Sequence, residues 1–241
     1  MAQQEIIDHT KEALSIIGDK KKSFWHRTKE FLLEITIIVF AVTVSIWFHD
    51  INENRHQQKE VKEFLSGLKT DLVEDITEME GDKMQYAKAA RMVNYILNLK
   101  KGKSVNTDTL KRYSNFFLSF VQLTVNSARL EGFKSSGKIG LIKNHELQQD
   151  ILSFYQEEIH NLLFSTERYN IQKEKLMDHI SQNRKRVTDT TSNLADVMGT
   201  NEVHFRMQNL LVAKVVVQRY DIAIEKARKI VSEIEKEYST E

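Results

Sequence analysis

Cysteine and proline are both missing from all 241 residues, and glycine appears only eight times. Without cysteine there are no disulfides, no thiolate catalysis and no cysteine-based zinc site. The same absence fits either side of a membrane and assigns no redox compartment. Proline breaks a helix interior by removing a backbone donor and clashing with the preceding turn. Its absence, with Glu, Lys, Leu, Gln and Ile abundant, predicts long uninterrupted helices and an all-α class. An excess of charge is missing too: 35 Lys and Arg against 34 Asp and Glu give a formal net charge of +1. That balance lacks the concentrated basic field a nucleic-acid partner needs.

What is present is one long apolar run, Phe31 to Phe48, FLLEITIIVFAVTVSIWF. Only Glu34, Thr36, Thr43 and Ser45 interrupt it. Eighteen helical residues reach about 27 Å, close to a hydrocarbon core of about 30 Å. The run predicts a single transmembrane helix over residues 31–49. The next residues, His49 to Glu53, offer no small-residue cleavage site, so the segment is expected to stay as an anchor. Residues 1–30 form an amphipathic leader, with Ile6, Ile7, Ala13, Leu14 and Ile17 at helical spacing. It reads equally as a helix lying on the membrane or as a plain cytoplasmic helix or tail. Lys20, Lys21, Lys22, Arg27 and Lys29 precede the span. Arg55, Lys59 and Lys62 follow it, mixed with acidic residues. That asymmetry predicts a cytoplasmic N-terminus and an extracytoplasmic domain over residues 50–241. Trp25 and Trp47 flank the run as interface anchors.

Beyond the run, Val61, Leu65, Leu68, Leu72, Ile76 and Met79 recur at steps of three and four, and Tyr86, Ala90, Val93 and Leu97 extend the stripe past Gly81. This first helix should end at the Lys100–Ser104 turn, with Gly81 a place for a kink and Gly102 a C-terminal cap. A second helix from Asp108 would carry Leu110, Tyr113, Phe117, Phe120 and Val121 inward. A third, capped by Asn144, carries Leu147, Ile151, Phe154, Leu162, Tyr169, Leu176 and Ile180 to about Lys185. Residues 187–201 read as a loop with room for one helical turn. A fourth helix after Asn201 presents Val203, Met207, Leu210, Val217, Ile224, Ala227, Val231 and Ile234. Four helices each apolar on one stripe predict an antiparallel bundle.

Three stretches carry a resemblance: EITIIVFAVTVSIWFHDINENR, the L-x-x-L-x-x-D-L pattern of Leu65 to Leu72, and FKSSGKIGLIKNHELQQDILSFY from Phe133 to Tyr155. With the closing RKIVSEIEKEY they resemble an uncharacterised bacterial family of single-pass membrane proteins, over most of residues 29–240. The resemblance implies a domain of unknown function in a bacterial cytoplasmic membrane and carries over no catalytic residue.

Glu34 stands out, since a carboxylate at mid-membrane costs about 3 kcal/mol. At 100° per residue Glu34, Ile38, Ala41 and Ser45 share a face, with Thr36 and Thr43 opposite. A small polar stripe of Glu34, Ala41 and Ser45 suits helix packing in a homo-oligomer, or a pore or proton path lined by Glu34. The plainer reading places Glu34 about one turn inside the cytoplasmic edge, paired with Arg27 or Lys29. Two E-x-x-H steps, Glu53–His56 and Glu157–His160, lack the further ligands a di-metal bundle needs. Ser135-Ser136-Gly137-Lys138 lacks phosphate-loop spacing and reads as a hinge or cap. Tyr113, Phe116, Phe117 and Phe120 read as core. No cofactor, metal or catalytic set emerges. The sequence points to a membrane-anchored interaction, scaffold or sensor-like protein. A homo-oligomeric ion-conducting or membrane-perturbing protein is the alternative. The expected partners are the lipid bilayer and further copies of the chain or other membrane proteins.

Overall fold

The computed structural model describes the backbone of residues 2–100, 103–188 and 191–238, with side chains for Trp25, Thr28, Lys29 and residues from 31 onward. Gly102 and the apolar leader side chains Ile6, Ile7, Ala13, Leu14 and Ile17 lie outside this description. The protein is all-α, and the chain forms two units, Met1–Lys59 and Glu60–Glu241.

Helix α1 spans Ala2–Leu97 and has no break at Gly81, where no neighbouring atom would meet an added Cβ. In the larger unit α1 turns Leu65, Leu68, Leu72, Met79 and Tyr86 into the core, each no more than 2% exposed. The expected stripe is therefore the buried face, with Ile76, Ala90 and Leu97 packed at its edge.

The second member of the bundle is only partly helical. Short helices α2 (Thr107–Arg112) and α3 (Ser114–Leu118) lead into an extended strap, residues 119–127, followed by α4 (Ala128–Ser135). Asn106 caps α2 by accepting from the Asp108 and Thr109 N–H groups, at 2.8 and 3.2 Å. Phe120 was expected inside and is exposed, because the chain has already left the helix there; Phe116 takes the buried place.

Asn144 caps α5 (His145–Ser153) by accepting from the Leu147 N–H at 3.1 Å. A π-helical turn at Phe154–Glu158 joins it without a gap to α6 (Ile159–Asn183). The loop beyond carries one short helix, α7 (Leu194–Met198). Thr200, one residue earlier than expected, caps α8 (Asn201–Asn209), and a 3-10 turn leads to α9 (Ala213–Tyr238).

The ion pairs Lys83–Asp221 at 2.9 Å and Lys69–Glu235 at 3.6 Å run in opposite chain directions, so α9 is antiparallel to α1. Glu146–Lys229 and Asp150–Lys226 set α9 antiparallel to α5 in the same way. Tyr86, Tyr169 and Tyr220 meet where α1, α6 and α9 converge, with ring centroids 5.1 and 5.6 Å apart.

Candidate functional site

Among residues 31–48 every side chain is exposed except Val44, which is half-buried. This stretch makes α1 the one helix among the described residues long and apolar enough to cross a membrane. Its hydroxyls already have partners. Thr36, Thr43 and Ser45 donate to the carbonyls of Leu32, Val39 and Ala41, each at 2.8 Å. Back-bonding of this kind removes the penalty of a bare hydroxyl in lipid. Glu34 is left as the polar side chain of the run without a hydrogen bond or ion pair among the described residues. Ala41 and Ser45 are exposed on its face, as their spacing requires. Arg27, an expected partner of Glu34, lies outside the described side chains. Trp25 and Trp47 are both exposed, 22 residues and so about 33 Å apart along the helix. Trp47 packs edge-on against Phe48.

The other sequence candidates separate. Glu53 accepts from Gln57 at 2.9 Å, and Glu157 and His160 are exposed on the bundle surface. Gly137 has φ +74° and follows α4, with its N–H on the Lys134 carbonyl at 3.0 Å. That is a left-handed helix stop. Lys138 pairs with Glu60 at 2.8 Å. The one trio of clustered metal-type ligands among the described residues is Glu146, Asp150 and Glu233. The Lys229 ammonium already sits among them, at 2.9, 2.7 and 3.3 Å. Burial pushes the Asp150 carboxyl up, but Lys226 and Lys229 outweigh it and hold that carboxyl below its ordinary range.

The most structured polar region is the strap. Of residues 119–127 only Leu123 is buried, but a non-helical segment laid on the bundle has no ladder of its own, so its backbone groups take side-chain partners. α1 supplies three carboxylates one face apart. Asp71 takes the Arg129 guanidinium at 2.8 Å, Asp75 takes the Asn126 N–H at 3.2 Å, and Glu78 takes the Thr124 N–H at 3.1 Å. The Val121 carbonyl accepts from Tyr86 Oη at 3.0 Å and Asn170 Nδ2 at 3.2 Å. The Ser119 carbonyl accepts from Lys173 Nζ. Gly67 leaves the space on α1 that the Arg129 guanidinium occupies, where a Cβ would collide with it.

Lys173 is 4% exposed, and its ammonium lies over the rings of Phe116 and Phe120, 5.3 and 4.6 Å from their centroids. Burial lowers its pKa from 10.5 to about 8. It lines a cleft of about 380 Å³ together with Tyr86, Lys88, Phe116 and Tyr169. Sequence reasoning missed this residue, although a signal was there: Lys173 falls on the stripe of Tyr169, Leu176 and Ile180, where an apolar side chain is the rule. A larger groove of about 980 Å³ beside Leu110, Phe117, Phe120, Met177, Ile180 and Leu194 contains no unpartnered buried polar atom among the described residues.

No family model matches this chain, and no curated protein or solved structure matches it.

Proposed function

We propose that this chain is a single-pass, membrane-anchored helical protein that works through interaction or sensing rather than catalysis. It sits in a bacterial cytoplasmic membrane with its N-terminus in the cytoplasm. The observation that carries the reading is the contrast between two sets of apolar residues. Those of residues 31–48 are bare, whereas Leu65, Leu147, Leu162 and Ala213 in the bundle are fully enclosed. A bare run of that length has lipid as its natural cover. The spacing of Trp25 and Trp47 suits the two headgroup layers. The resemblance to an uncharacterised family of single-pass proteins supports the same placement.

The test uses full-length protein in isolated bacterial membranes. Retention through high-salt and alkaline washes is expected, and release into either wash overturns the anchor. Because the chain has no cysteine, single reporters at Gln3→Cys and Ser239→Cys give the orientation. An impermeant maleimide should label only the second in spheroplasts. Labelling of only the first reverses the topology.

A second reading is favoured by Glu34, which has no hydrogen bond or ion pair among the described residues and shares a face with Ala41 and Ser45. In a homo-oligomer that face would bring several Glu34 carboxylates together around an ion path.

A further inference from the structure

The geometry points to a binding site for a small organic anion, a carboxylate on an apolar body, in the cleft that α1, α6 and the strap enclose around Lys173. This goes beyond the anchoring reading and does not depend on it, because every residue involved lies in the unit Glu60–Glu241.

The charges around the cleft are unbalanced. Lys88 and Lys173 line it, and no Asp or Glu does. Buried ammonium groups are ordinarily paired with a carboxylate. Lys173 has three N–H donors, and its single hydrogen bond among the described residues is to the Ser119 carbonyl. Two donors are left for something the protein does not supply. The rings of Phe116 and Phe120 hold the ammonium by cation–π attraction but accept no directed hydrogen bond in place of an anion.

Tyr169 gives an independent pointer to the same place. Three tyrosines meet in this core, and two have partners: Tyr86 donates to Val121 O and Tyr220 to Asp82 Oδ2, at 3.0 and 3.1 Å. Tyr169 is 2% exposed, lines the cleft, and its Oη has no partner among the described residues. It stands one helical turn before Lys173, so both side chains rise from the same face of α6. Both carry donor hydrogens with no acceptor among the described residues. The complementary ligand brings acceptors and negative charge.

Size and wall chemistry narrow the class. About 380 Å³ is at the small end of ligand pockets. Met84, Ala89 and Val121 give an apolar wall for a short alkyl or aryl body. One buried ammonium and one phenol match a monoanion with two oxygens. A phosphate dianion calls for an Arg fork or a helix N-terminus.

The test is titration of the full chain in lipid nanodiscs with phenylacetate and hexanoate. Phenylacetamide and inorganic phosphate serve as controls, read by calorimetry and ligand-observed NMR. Saturable binding of the carboxylates and not of the controls is expected. Tyr169→Phe removes an oxygen with no partner, so the fold should keep its stability while carboxylate affinity falls about tenfold. Lys173→Met should abolish binding. Affinity should also fall as pH rises through about 8, where the Lys173 ammonium loses its proton. The other titratable groups facing it are Lys88 and Tyr86 on α1 and Tyr169 on α6. Burial pushes both phenols upward, so they stay protonated. Lys173→Arg, charged throughout, should remove that pH dependence. Absence of saturable carboxylate binding, equal binding of the amide, or unchanged affinity in Tyr169→Phe overturns the site.

Discussion

The Asp75 carboxylate accepts from both nitrogens of Asn126, the backbone one at 3.2 Å and the side-chain one at 2.9 Å. This contact fastens the C-terminal end of the strap to α1. Asp75 is 1% exposed, and burial raises its carboxyl from the ordinary 3.8 to about 6. The Asn126 bonds oppose that rise, and the neighbouring charges of Glu78 and Asp71 add to it. The folded chain therefore holds this proton more tightly than the unfolded chain between about pH 4 and 6. Asp75's contribution to stability is complete below pH 4 and is lost as pH climbs through 6. Unfolding in urea at several pH values checks this. From pH 7 to pH 4, wild type should gain on Asp75→Asn by up to about 3 kcal/mol. A flat difference across that window refutes the assignment.

Gly137 and Gly132 should respond to alanine with opposite signs. Gly137 has φ +74°, where a Cβ is strained although nothing crowds it. Gly132 lies inside α4, and an added Cβ there also meets nothing within 4 Å. Gly137→Ala should cost about 1 kcal/mol, and Gly132→Ala should gain about 0.5–1 kcal/mol. Urea midpoints at constant slope report both. Equal effects would remove the left-handed stop as the device that ends α4.

Glu34→Gln separates the two membrane readings. For a plain anchor, the change removes a charge costing about 3 kcal/mol at most, so retention in alkaline-washed membranes should be unchanged. Native mass spectrometry from detergent and planar-bilayer recording complete the comparison. A closed ring whose conductance disappears on Glu34→Gln would put the conducting reading first.

Much of the bundle was legible because helix periodicity is local. Leu65, Leu68 and Leu72 announced a buried face by spacing alone, and each is 1% exposed or less. The Asn144 cap and the short helix inside residues 187–201 could also be read from nearby residues. The strap could not. Phe116, Phe117 and Phe120 look helical, and α3 does start there, but the α1 and α6 side chains that hold the backbone of residues 119–127 sit 35 to 54 positions away. The π turn left a trace, since the buried positions Phe154 and Ile159 are five apart rather than three or four. Lys173 left one too, as a charge on an apolar stripe.

The order of apolar and polar residues by itself determined the all-α class, a run long enough to cross lipid, and the face each long helix buries. All of these follow from a backbone period that each segment carries within itself. Only the tertiary structure decided that Asp75 and Glu78 hold a non-helical strap while Asp71 holds α4 beside it, and that Lys173 and Tyr169 line one cleft with donors unspent among the described residues. Those outcomes depend on which distant groups meet in a low-dielectric interior, where an unpaired charge or hydroxyl is costly, and no local period encodes that meeting.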